Sequence, residues 1–224
     1  TADPRAAPGR GVPDVAALLP HLDTFWRDSA VDRGLNSLDS NSYPLKSPLT
    51  SRPEWRNKNG LPAADASQVA DQVFGRWQSG FAILNCLYGV QRLCSEGMAA
   101  AFCRALNDYI VKEWLDRDPR MRASIVIPMQ NVEYAVDEIE RCAKDRRFVQ
   151  VLLPPPRAEP AGRRRYWPIY EAAVRAGLPI GMHVGGVGGH PATAGSGPAS
   201  YYIEEHHSLV PAMQAVVTSM VLEG

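Results

Sequence analysis

The chain is poor in most of the features that announce a function at once. Of its 224 residues only four are lysine against 20 arginine, and 24 basic side chains balance 24 acidic ones. With no surplus of either sign there is no electrostatic footprint for nucleic acid or for an anionic membrane surface. No apolar run approaches the roughly 18 residues that a membrane-spanning helix needs. Four cysteines, Cys86, Cys94, Cys103 and Cys142, contain no C-x-x-C pair. That excludes a zinc ribbon or a dithiol redox motif and reads as small buried thiols in a reducing, cytoplasmic setting. There is no phosphate-binding loop, and Gly186-x-Gly188 fails as a dinucleotide fingerprint because Pro191 stands where the third glycine belongs.

What is present is a core's worth of apolar residues, 45% of the chain, with five Trp, eight Tyr and five Phe. This composition suits a folded globular protein and argues against disorder. The first 66 residues read as an irregular arm, short helices broken at Pro20, and a long Pro- and Asn-rich stretch over 36–64 with Tyr43 and Trp55. A loop of that length in a compact domain usually serves a site. From residue 67 to 224 the pattern is regular and reads as the main domain.

There the spacing predicts a helix over 67–77 with Val69, Val73, Phe74 and Trp77 on one face, then a strand over 81–87 apolar enough to be covered on both sides. Met98, Phe102, Leu106, Ile110 and Trp114 form a second helical stripe. Strands follow at 121–127, 148–153 and 178–184. Between them lie a helix capped by Asn131 and another marked by Trp167, Tyr170 and Val174 that stops at Gly177. A last helix is expected over 211–222. Strands starting near 81, 121, 148 and 178 with helices between them imply right-handed βαβ units and a parallel sheet. Without a nucleotide loop, half of a (β/α)8 TIM barrel is a better reading than a doubly wound sheet.

His183 is the leading site candidate. It ends the strand 178–184 ahead of a glycine-rich run, and in a barrel the C-terminal strand ends form the active-site mouth. Imidazole there suits metal ligation or proton transfer, the alternative being a hydrogen-bonded core histidine. Asn85 ends the first visible strand and is a candidate for touching substrate, as is Gln130 after the second. Tyr43, in the long loop, and His206, in the Tyr201–His207 segment, complete the substrate candidates. Adjacent His206 and His207 point apart and cannot easily chelate one ion together. The triplet 163–165 of arginines reads as a solvated cluster.

The segment Asn41-Ser42-Tyr43-Pro44 with Leu45 to Arg56, the strands 81–86, 123–128 and 179–183, and the later Tyr201-Tyr202-Ile203-Glu204 with Pro211 and Gln214 resemble the amidohydrolase-related branch of the metal-dependent hydrolases, which includes decarboxylases similar to aminocarboxymuconate-semialdehyde decarboxylase. The resemblance implies a (β/α)8 barrel with one divalent metal ion, commonly zinc, held by an H-x-H pair on strand one, a histidine on strand five and an aspartate on strand eight. His183 matches the strand-five ligand; no H-x-H occurs in these residues. By that pattern the four strands here are strands two to five, with strand one expected upstream of Thr1 and strands six to eight beyond Gly224. The implied chemistry is attack of a metal-activated water on an amide, ester or lactone, or non-oxidative decarboxylation of a small cyclic or aromatic acid. The resemblance points to a small-molecule substrate, and apolar segments left exposed by the missing strands lead to an expected homo-oligomer. The alternative is a barrel-derived subunit that binds without catalysis.

Overall fold

A computed structural model describes residues 15–36, 54, 66–86, 89–154, 156, 159–183 and 201–223. Four parallel strands form one sheet in sequence order: β1 (Ala82–Leu84), β2 (Met121–Val126), β3 (Phe148–Leu153) and β4 (Ile180–Met182). Register runs Leu84 to Ala123, Ser124 to Gln150, and Leu152 to Gly181, with an irregularity between Ala123 and Ser124. Consecutive strands lying side by side in parallel, each joined through a helix, is the winding of a barrel rather than of a sheet that reverses direction.

The helices start where the side chains can satisfy a first turn. In chain order α1 is Val15–Leu18, α2 Thr24–Asp32 and α3 Ala66–Val69, and α3 continues as a π-helical turn over Ala70–Arg76. Asp23 caps α2 by accepting from the Trp26 amide at 3.0 Å. Ser95 does the same for α4 (Glu96–Ile110), as Asn131 does for α5 (Val132–Cys142). The four-residue spacing of the α4 stripe exceeds the 3.6 of an α-helix, and the helix ends in a wider π turn over Val111–Leu115. Next comes α6 (Trp167–Arg175), after which Gly177 adopts φ +66°, the left-handed cap that the sequence predicts there.

One core joins these elements. Phe102, Leu106, Ile125, Ile139, Leu152 and Ile169 are all at most 1% exposed, and Val15 and Leu18 of α1 belong to the same cluster. The helices cover one face of the sheet. The other face is exposed at β1, where Phe81 is 66% and Ile83 50% exposed while their neighbours Ala82 and Leu84 pack against the core; on β2 and β3 its Ser124, Val126 and Leu152 are buried. The expectation of a strand covered on both sides therefore fails for β1. Its continuous apolar run is that of a strand whose second face looks into a barrel, and the four described strands close only half of one.

Two further expectations are corrected. Trp77 lies outside the buried stripe of its helix at 56% exposure, because the π turn rotates it away from Val69 and Phe74. The helix marked by Trp167, Tyr170 and Val174 is found as α6, its buried face formed by Ile169, Ala172 and Ala173. The last helix, α7 (Tyr202–Leu222), begins nine residues before Pro211, which lies within it. Among the described residues no helix is long and apolar enough to cross a membrane.

Candidate functional site

His183 follows β4 directly, and its amide donates to the Leu153 carbonyl at 3.3 Å, so the ladder with β3 reaches it. Side chains alternate along a strand, and His183 thus shares a face with Gly181. That face is identified by contact: a Cβ placed on Gly181 would meet the Gln150 side-chain amide at 2.7–3.0 Å. Gln150 belongs in turn to a row of polar groups crossing three strands. Ser124 Oγ donates to Asn85 Oδ1 at 2.5 Å, and Gln150 Nε2 donates to Asn85 Oδ1 at 3.1 Å and to Ser124 Oγ at 2.7 Å. His183, Gly181, Gln150, Ser124 and Asn85 accordingly lie on the inner face of the half-barrel. Ser124 is fully buried there, whereas Asn85 and His183 are exposed.

Of the residues singled out from sequence, His183 and Asn85 are thus brought to the same face. Tyr43 lies outside the described residues, as do Trp55 and the glycine-rich run after Val184. His206 falls within α7, and its side chain is likewise outside what is described. Gln130 turns back to the chain, Nε2 donating to the Leu93 carbonyl at 2.7 Å. The arginine triplet is a surface cluster as expected: Arg163 pairs with Glu223, Arg165 with Glu159, and Arg164 stacks over Trp167. Ser124 and Gln150 were not foreseen. The available signal was a polar residue breaking an apolar strand, Ser in Met121–Val126 and Gln in Phe148–Leu153.

A second buried polar group holds the mouth of β2. Asn107 of α4, with no exposed surface, clamps Val126: its Nδ2 donates to the Val126 carbonyl at 2.9 Å and its Oδ1 accepts from the Val126 amide at 3.0 Å. The same Nδ2 donates to Glu138 of α5 at 2.7 Å, and Glu138 pairs with Arg141. Burial pushes the Cys103 and Cys142 thiols beside this network far up, with the Glu138 carboxylate adding to the effect. Both are therefore neutral apolar fillers rather than nucleophiles.

Among the described residues no three His, Cys, Asp or Glu side chains converge to hold a metal ion. They supply one candidate donor, His183, rather than a coordination sphere.

The amidohydrolase family model matches residues 13–219. Over 101 residues the chain is 29% identical to a gamma-resorcylate decarboxylase of Polaromonas sp. (strain JS666 / ATCC BAA-500), covering 42% of this chain and 31% of that one. Its fold is similar to a candidate amidohydrolase from Staphylococcus aureus (TM-score 0.61, 19% identity), with 72% of this chain and 56% of that one covered. It is also similar to a dihydroxybenzoic acid decarboxylase from Polaromonas sp. JS666 with bound manganese and 2-nitroresorcinol (TM-score 0.54, 23% identity), covering 77% and 52%. The chain thus spans about half the length of these solved structures and 31% of the curated relative. A parallel sheet wound as half a barrel and a match running through nearly all of it lead to one assignment: the chain belongs to the amidohydrolase family.

Proposed function

We propose that this protein acts as a metal-dependent enzyme that removes the carboxyl group of a small hydroxylated aromatic acid as CO2. The observation that carries the reading is His183 at the C-terminal end of β4, on the inner face of a sheet belonging to this family. The similarity to gamma-resorcylate and dihydroxybenzoic acid decarboxylases supports decarboxylation. The family's own description favours a second reading, hydrolysis of a small amide, ester or lactone. In either reading His183 is a ligand of one divalent ion, a Lewis acid at the mouth when bound. The manganese of the solved relative makes that ion a candidate beside the zinc expected from sequence. Asn85 contacts the substrate, and Tyr43 and His206 are proposed to do so. The partner is a small molecule rather than nucleic acid or a membrane, from the 24 to 24 charge balance. We place the protein in the cytoplasm, consistent with its cysteines forming no disulfide, and expect it to self-associate.

Metal analysis after dialysis against manganese or zinc should find about one ion per chain, with His183→Ala losing most of it. The metal-loaded protein should release CO2 from 2,6-dihydroxybenzoate. A native protein that binds neither ion overturns the reading and favours a non-catalytic binding subunit. Metal binding with ester or lactone cleavage but no CO2 release selects the hydrolase.

A further inference from the structure

The inner face carries a hydrogen-bonded row whose one uncommitted donor lies at its β1 end. Asn85 Oδ1 accepts from both Ser124 and Gln150, so the Asn85 amide plane is held from one side. Both protons of Gln150 Nε2 are used, one on Asn85 and one on Ser124, and the Ser124 hydroxyl proton goes to Asn85. The donor that remains is Asn85 Nδ2, which has no acceptor among the described residues although the side chain is exposed on the face that His183 shares. Oδ1 is anchored, and Nδ2 therefore faces away from the row.

We propose that Asn85 is a specificity residue, its Nδ2 donating to a ring hydroxyl oxygen of an aromatic acid bound on this face, with Ser124, Gln150 and Gly181 as positioning residues. The inference rests on the functional reading above and names the substrate feature that it recognises. A hydroxyl is selected over a carboxylate because every member of the row is uncharged. A carboxylate moved onto it would lose hydration without a compensating positive charge. A hydroxyl oxygen needs only one well-aimed donor. The row also explains why β4 has glycine opposite β3. Any side chain at 181 would displace the Gln150 amide, whose hypothetical Cβ contacts there are 2.7, 2.8 and 3.0 Å, and with it one of the two donors that orient Asn85. Ser124 supplies the other from a fully buried position, so it cannot swing to another partner.

The test is the ratio of affinities of the manganese-loaded chain for 2,6-dihydroxybenzoate and for benzoate, measured by calorimetric titration. Losing one hydrogen bond of about 1.4 kcal/mol corresponds to tenfold. Asn85→Ala should lower the dihydroxybenzoate affinity by about tenfold and leave benzoate binding unchanged, collapsing the ratio. Gly181→Ala should reduce the ratio in the same direction while manganese binding stays at the native level. General damage to the fold would weaken both ligands alike and leave the ratio standing. An Asn85→Ala protein that keeps the native ratio overturns the assignment of Asn85. A Gly181→Ala protein that keeps it overturns the positioning row. A native chain that binds manganese through His183 but discriminates by nothing between the two acids overturns this inference alone. A native chain that binds no manganese overturns the functional reading and this inference together.

Discussion

Asn107 uses its amide where a strand would otherwise run out of partners. β1 ends at Leu84, opposite Ala123, so Val126 at the end of β2 lies beyond the last β1 residue. The Asn107 side chain takes both Val126 backbone groups and hands its second proton to Glu138. Replacing it by alanine would leave buried groups of Val126 and Glu138 without that partner, at about 1–3 kcal/mol for each unsatisfied group. Asn107→Ala is therefore expected to lower stability by about 3 kcal/mol in urea unfolding; a loss below about 1 kcal/mol would show that water replaces the amide. None of this was legible in the sequence, where Asn107 sits in an apolar stripe and looks like a solvent-side break. Ser124 and Gln150 escaped for the same reason. A single polar residue inside a strand has no local partner, and its meaning depends on which strand lies beside it. The positions of His183 and Asn85 at strand ends were legible because apolar runs followed by turn residues close a strand without reference to its neighbours.

Elements were read best where a local signal closes them. Asn131 as cap and Gly177 as stop were both anticipated, since capping uses groups only a few residues apart. The failures at Trp77 and the start of α7 share a different cause. Which face of a helix is buried, and how far a helix extends past a proline, depend on what packs against it. α7 is held at its far end, where Ser219 Oγ accepts from the Gly162 amide at 2.9 Å and Glu223 pairs with Arg163. At its near end the Glu204 carboxylate accepts from the Tyr201 amide at 3.0 Å. Gly162 and Gly177 then make a paired test. A Cβ at Gly162 would run into the Ser219 backbone carbonyl, whereas Gly177 has open space and only a left-handed backbone. Gly177→Ala should cost about 1 kcal/mol. Gly162→Ala should cost more and should raise hydrogen exchange selectively in α7; equal losses with no change in α7 would refute the packing account.

At the scale of the whole molecule, the same turn enters two successive strands. Asp118-Pro119-Arg120 precedes β2 and Asp145-Arg146-Arg147 precedes β3, and in each the aspartate accepts from the arginine amide two residues on (2.9 Å both times) and from its guanidinium. Hydrogen bonding to the arginine holds both carboxyls below the ordinary value of 3.8. A depressed carboxyl contributes stability that is present above its unfolded value and lost as pH falls through the folded one. Stability should thus hold down to about pH 4 and decline below it, and Asp118→Asn with Asp145→Asn should flatten that decline. An unchanged acid slope in the urea midpoint would remove these turns from the account. The order of strands and helices, the caps, the charge balance and the position of His183 at a strand end were set by sequence alone, because each depends on residues close together in the chain. Which faces are buried, the Asn85, Ser124 and Gln150 row, and the exposed second face of β1 were decided only by tertiary structure. Asn85 and Gln150 are 65 residues apart, and only the parallel register of three strands brings their amides within a hydrogen bond.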